Sequence, residues 1–285
     1  MDMEPQEHPE TPRGLLAARK DSPHSRLRLH RAFSSHYLPH ARDLIVYLPP
    51  SYDQQPVRTY PVLYLQDGQN LFEERTSFLP GRTWGLREHA DAAIAAGETE
   101  PLVIVGVCHA GPRRIAEYTF EPDAQHGGGE AEQYGLMLTR ELMPWIAAEY
   151  RVRTGRADTG IGGSSLGALV SLYLGLRHPR LFGKLAVLSP SVWWNQRSIL
   201  GYLNQHTPQL PEQPRLWLDV GDREGLRTLE DAQMLLRRLL DHGWRPNENL
   251  HFEEIRGGTH DEASWAHRVR PVLKFLFPAI RPVIA

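Results

Sequence analysis

The chain has 285 residues, 41% of them hydrophobic and 23% charged, enough for one large α/β domain or two small ones around a sizeable core. Lys and Arg number 32 against 34 Asp and Glu, so no basic excess steers the chain to nucleic acid or an anionic membrane surface. The single cysteine, Cys108, excludes an intrachain disulfide, and its place in the apolar run LVIVGVC reads as a small buried thiol.

The opening stretch MDMEPQEHPETPRG is acidic and proline-rich, without the apolar segment of an export signal. No apolar run approaches the ~18 residues that span a bilayer. The expectation is a cytoplasmic protein with a loosely ordered tail over residues 1–24 and a single domain over 25–285. After the tail come RLRLHRAF and RDLIVYLPPSYD, the second a short β-rich run stopped by Pro49 and Pro50.

Strand and helix then alternate. Apolar runs at 61–66, 101–107, 159–163, 184–189, 215–220 and 250–255 read as strands, and helical stretches fall at 131–150, 166–178 and 226–242. In the last of these, Ala232, Leu235, Leu236, Leu239 and Leu240 recur at three- and four-residue spacing ahead of Gly243. Pro144 is expected to kink or shorten the helix at 131–150. Such alternation predicts an α/β architecture, a mostly parallel central sheet with helices on both faces. Ligands of such sheets bind just beyond the carboxyl ends of the strands, so chemistry is sought there.

After the strand at 159–163 the chain reads GGSSLG, residues 162–167. Gly163-Ser164-Ser165-Leu166-Gly167 fits the nucleophile-elbow pattern G-x-S-x-G, in which a serine sits on a strained turn between strand and helix and small neighbours let backbone pass close by. Only Ser165 has glycines two places before and after it, and Ser164 reads as a spacer. The base should follow in a loop able to swing an imidazole over the elbow. His178 and His242 fall at helix ends, His206 in a polar linker, His251 in a strand and His267 on the last helix. His260, in IRGGTHDEASW, alone sits in a glycine-flanked loop after a strand.

The acid that orients this base should follow the penultimate strand, where LWLDVGDREG offers Asp219, Asp222 and Glu224. Asp219 is still within the strand and reads as a structural hydrogen-bond partner. Spacing does not separate Asp222 from Glu224. An oxyanion hole needs two backbone N–H groups. Leu166 at the start of the elbow helix supplies one, and Gln69 in the loop DGQNLF, freed by Gly68, the other. No histidine or cysteine spacing suggests a metal, and GGSSLG lacks the lysine of a phosphate loop, so no cofactor is expected.

These blocks carry a resemblance. YPVLYLQDGQNLF, RRIAEYTF, GGSSLGALVSLYLGLRHPRLFG, LSPSVWW, LDVGDREG and GGTHDEASW resemble, in order, the Putative esterase family of α/β-hydrolases, across roughly residues 25–280. That family includes feruloyl and acetyl-xylan esterases, siderophore (enterochelin) esterases and mycolyltransferases. The resemblance implies a serine esterase with a Ser165–Glu224–His260 triad, because the family acid stands three residues after a glycine, here Gly221. The expected substrate is a small-molecule ester, with Trp84, Tyr118 and Trp193 expected at the strand ends as the wall of an acyl or aryl pocket. Trp194 and Trp265 read equally as wall or core, and Arg114 and Glu117 as a structural ion pair. Acyl transfer on the same triad, a binding protein without catalysis, and homo-oligomerisation all stay open at this point.

Overall fold

The computed structural model describes residues 26–79, 81–207 and 212–279, and the expected tail at 1–24 lies outside them. Its strands are β1 (Leu27–Phe33), β2 (Arg42–Tyr47), β3 (Val62–Gln66), β4 (Val103–Val107), β5 (Thr159–Ser164), β6 (Lys184–Leu188), β7 (Arg215–Gly221) and β8 (Leu250–Ile255). They form one sheet in the order β1-β2-β4-β3-β5-β6-β7-β8. β1 and β2 pair antiparallel, as do β2 and β4, while every pair from β4 to β8 is parallel. The carboxyl ends of β3, β5, β6, β7 and β8 therefore share one edge.

The helices are α1 (Leu86–Ala95), α2 (Arg114–Glu117), α3 (Ala131–Leu136), α4 (Met143–Glu149), α5 (Leu166–Arg177), α6 (Trp194–His206), α7 (Leu226–Asp241), α8 (Glu262–Ala266) and α9 (Val269–Leu276). Alternation along the strands sorts the core into two layers. Val62 and Tyr64 of β3 face the side covered by α3, α5, α6 and α7, whereas Leu63 and Leu65 face α1 and α9. Helix α5 lies deepest: Leu166 to Leu176 are all buried, which explains why its sequence is apolar nearly all round.

Pro144 does not end its helix. The backbone stays helical from α3 through a π-helical turn, Met137–Leu142, into α4. Pro144 follows just after that turn, where the wider bonding pattern, with Met143 N–H reaching Leu138 O, accommodates a residue without an N–H. His206 closes α6 rather than lying in a linker, and His267 sits between α8 and α9. Cys108 is buried as expected, and that burial pushes its thiol well above the usual range. Among the described residues no helix is long and apolar enough to cross a membrane.

Candidate active site

Ser164 ends β5 and Ser165 makes the turn into α5 with φ 57° and ψ −125°, a conformation that a non-glycine residue adopts only when its surroundings impose it. The flanking glycines permit this. A Cβ on Gly163 would lie 2.9 Å from the Gly167 carbonyl carbon, and one on Gly167 would lie 3.0 Å from Gln66 Cβ and 3.2 Å from an Asp67 carboxylate oxygen. The elbow and the loop after β3 are thus pressed together by the absence of side chains.

His260, between β8 and α8, lies with Nε2 2.9 Å from Ser165 Oγ and Nδ1 2.7 Å from Glu224 Oε2. The imidazole keeps 41% of its side chain exposed while the carboxylate keeps none. Glu224 Oε1 accepts from Ser189 Oγ at 2.6 Å, the Gly221 amide at 2.8 Å and Arg268 Nη2 at 3.3 Å. Burial alone would raise the Glu224 carboxyl; the hydrogen bonds from His260 and Ser189 outweigh it and hold the group below the usual carboxylate range. Asp222 points elsewhere, accepting from the Gly257 amide at 2.7 Å. A Cβ on Gly221 would sit 2.3 Å from Gly258 O, so glycine at this position lets the acid loop touch the histidine loop.

Asp219 reads as expected, a fully buried strand carboxylate bonded to Trp217 Nε1 and Arg268 Nη1, both at 2.7 Å. Ser191, after β6, adds a second hydroxyl 3.2 Å from Ser165 Oγ. On the other side, Gln69 occupies a short 3-10 turn, Gly68–Asn70, and Leu166 opens α5, where first-turn N–H groups have no intrahelical acceptor. Among the described residues no group of three or more His, Cys, Asp or Glu is placed to hold a metal ion.

A family model described as Putative esterase matches residues 35–276. The chain belongs to the Putative esterase family. The chain is a carboxylic ester hydrolase. Among its relatives, an uncharacterized Bacillus subtilis protein, YbbA, is 26% identical over 78% of this chain and 81% of its own length. The B. subtilis ferri-bacillibactin esterase BesA is 31% identical over 51% of this chain and 52% of its own. The crystal structure of the BES protein from Bacillus cereus superposes with a TM-score of 0.72 at 22% identity, covering 89% of this chain and 95% of that one.

The aromatic residues of this esterase divide unexpectedly. Trp84 and Tyr118, expected on a pocket wall, are packed inside instead: Trp84 lies against Trp265, and the fully buried Tyr118 accepts a hydrogen bond from the Asp67 amide at 3.2 Å. Trp194 and Trp265 are also core. Trp193 alone of the three expected wall residues is open, 37% exposed and edge-on to His126. Arg114 and Glu117 are both in ion pairs, but not with each other: Arg114 grips Asp67 with two bonds of 2.8 Å, and Glu117 grips Arg42 across the core at 2.9 and 3.0 Å.

Two groups have no role in the sequence reading: Arg268, next to His267 on the last helix, and Ser189, with φ 43°, inside the block LSPSVWW. The regular spacing of Val269, Val272, Leu273 and Leu276 marks α9 and leaves Arg268 at its start, a charged residue beside a buried face.

Proposed function

We propose that this esterase works through an acyl-enzyme on a Ser165–His260–Glu224 triad. The observation that carries the reading is the unbroken contact chain from Ser165 Oγ through both imidazole nitrogens to the buried Glu224. Ser165 attacks the ester carbonyl carbon as His260 Nε2 accepts its proton, and the imidazolium then gives that proton to the departing alcohol. Glu224 accepts the Nδ1–H throughout, fixing the tautomer and stabilising the imidazolium. The amides of Gln69 and Leu166 bind the oxyanion. Water, activated by the same imidazole, attacks the acyl-serine and releases the acid.

The half-open imidazole leaves water access to the acyl-serine as the second nucleophile. The substrate is a small-molecule ester, and Trp193, exposed two residues beyond Ser191, offers it an aromatic surface. No cofactor, nucleic acid or membrane enters the scheme. The test is a pair of substitutions assayed on an activated short-chain ester. Ser165→Ala removes several powers of ten in kcat while Ser164→Ala retains most of it, because nucleophile and base act as a unit. A fluorophosphonate adds once, at Ser165. Wild-type turnover in folded Ser165→Ala overturns the mechanism.

A further inference from the structure

We infer that Arg268 is the positioning residue that locks the triad acid and the histidine loop into one unit; this rests on the triad proposed above. Its side chain is 1% exposed. One guanidinium nitrogen, Nη1, donates to Asp219 Oδ1 and to Ser189 Oγ, both at 2.7 Å. The other, Nη2, donates to Ser264 Oγ at 2.9 Å, Glu224 Oε1 at 3.3 Å and the Thr259 carbonyl at 3.5 Å. Thr259 immediately precedes His260, and its amide donates to Ser264 Oγ at 3.1 Å. A single planar fork therefore touches the acid, the serine that bonds the acid, and the segment that carries the base.

The chemistry explains why the fork is an arginine. Glu224 must aim Oε2 at His260, which requires Oε1 to be held from behind. Three donors meet there, from Gly221, Ser189 and Arg268, and Ser189 is itself oriented by Arg268 and by Trp265 Nε1 at 3.2 Å. A lysine carries one nitrogen and cannot span Asp219 on one side and the histidine loop on the other. The charges also matter: Glu224, held below the usual carboxylate range, supplies the negative charge that the imidazolium formed on His260 neutralises as the reaction proceeds. A clamp serving stability alone needs only the Asp219–Arg268 pair; the contacts to Glu224 and Thr259 add alignment.

A double-mutant cycle tests this. Arg268→Lys, Glu224→Gln and the double variant are compared for kcat and KM on one activated ester and for the rate of fluorophosphonate addition, with melting curves alongside. Arg268→Lys is expected to lower kcat and the labelling rate about 10–100-fold with KM nearly unchanged, the scale of a misplacement of about 1 Å. In the Glu224→Gln background the same change costs less than about threefold, because the residue acts through the acid that is already lost. Wild-type kcat in Arg268→Lys, or losses that multiply in the double variant, overturns the inference. If Arg268→Lys does not fold, Ser189→Ala takes its place in the cycle. Its expected loss of about 3–10-fold must vanish beside Glu224→Gln, and losses that multiply there overturn the inference. Failure of the triad itself registers separately, as turnover retained by Ser165→Ala.

Discussion

Two loops meet at Ser165, and each is anchored by an arginine–aspartate pair, yet the pairs are built differently. Behind the acid, Asp219 and Arg268 are both sealed in the core, 0% and 1% exposed. Beside the turn that carries Gln69, Arg114 holds Asp67 with two 2.8 Å bonds but leaves 27% of its own side chain in solvent. Asp67 also takes a left-handed conformation, φ 56°, and donates its amide to the buried Tyr118 hydroxyl. The sealed pair sits where geometry must not vary, under a carboxylate that aims an imidazole. The half-open pair sits under the turn that carries Gln69. A buried pair loses far more than a solvated one when a partner is removed, because the remaining charge has no water to turn to.

The sharpest way to break the comparison is on the sealed side. Glu224→Gln keeps the shape of the acid and removes its charge, so kcat is expected to fall by about three to four powers of ten with KM nearly unchanged. Melting temperature and kcat measured together separate this from misfolding. A glutamine variant with wild-type kcat means that the site runs on Ser165 and His260 alone.

Much of this arrangement was legible in the chain. Strand runs and the glycines around Ser165 report backbone constraints, and backbone constraints leave local marks. Placing the acid was harder. Asp222 and Glu224 stand two residues apart in one loop, and only the path of the chain out of β7 turns one toward His260 and the other toward Gly257. Trp84 and Tyr118 misled because an aromatic residue at a strand end has the same sequence whether it walls a pocket or fills the core. The start of α6 left no periodic trace, since Asn195, Gln196 and Arg197 all have positive φ there. Arg268 was unreadable for a different reason: its partners come from 189, 219, 224, 259 and 264, and no local pattern joins them.

The half-open side should respond more gently. Asp67→Asn is expected to lower kcat about tenfold, less than deleting an oxyanion donor outright, because the turn carrying Gln69 loosens rather than disappears. Its stability effect has a defined pH dependence. Burial would raise the Asp67 carboxyl, but Arg114 outweighs it and the group is held below the usual value. A carboxyl with a depressed folded value stabilises the protein above its unfolded value of ~3.9 and loses that contribution as pH falls through the folded value. The gap in melting temperature between wild type and Asp67→Asn is therefore expected to be constant from about pH 8 to pH 5 and to narrow below about pH 4. A gap that widens on acidification contradicts the ion pair as the source.

Asp222 supplies the control for the sealed side, since it shares a loop with Glu224 and differs only in what it faces. Its carboxylate accepts an exposed hydrogen bond from the Gly257 amide at 2.7 Å, whereas His260 Nδ1 faces Glu224 Oε2. Asp222→Ala should cost about one such bond, ~1 kcal/mol, and lower the melting temperature by about 2 °C. Asp222→Asn keeps an acceptor oxygen and should cost less still. Neither change should move kcat by more than about twofold, since the backbone bonds from Asp222 N–H to Ile255 O and from Arg223 N–H to Gly258 O still hold the loop and His260 is oriented from Glu224. Melting curves and kcat for both variants, run beside Glu224→Gln, decide the matter. If Asp222→Ala slows turnover as severely as Glu224→Gln, the histidine takes its orientation from the wrong member of the loop, and the acid must be reassigned.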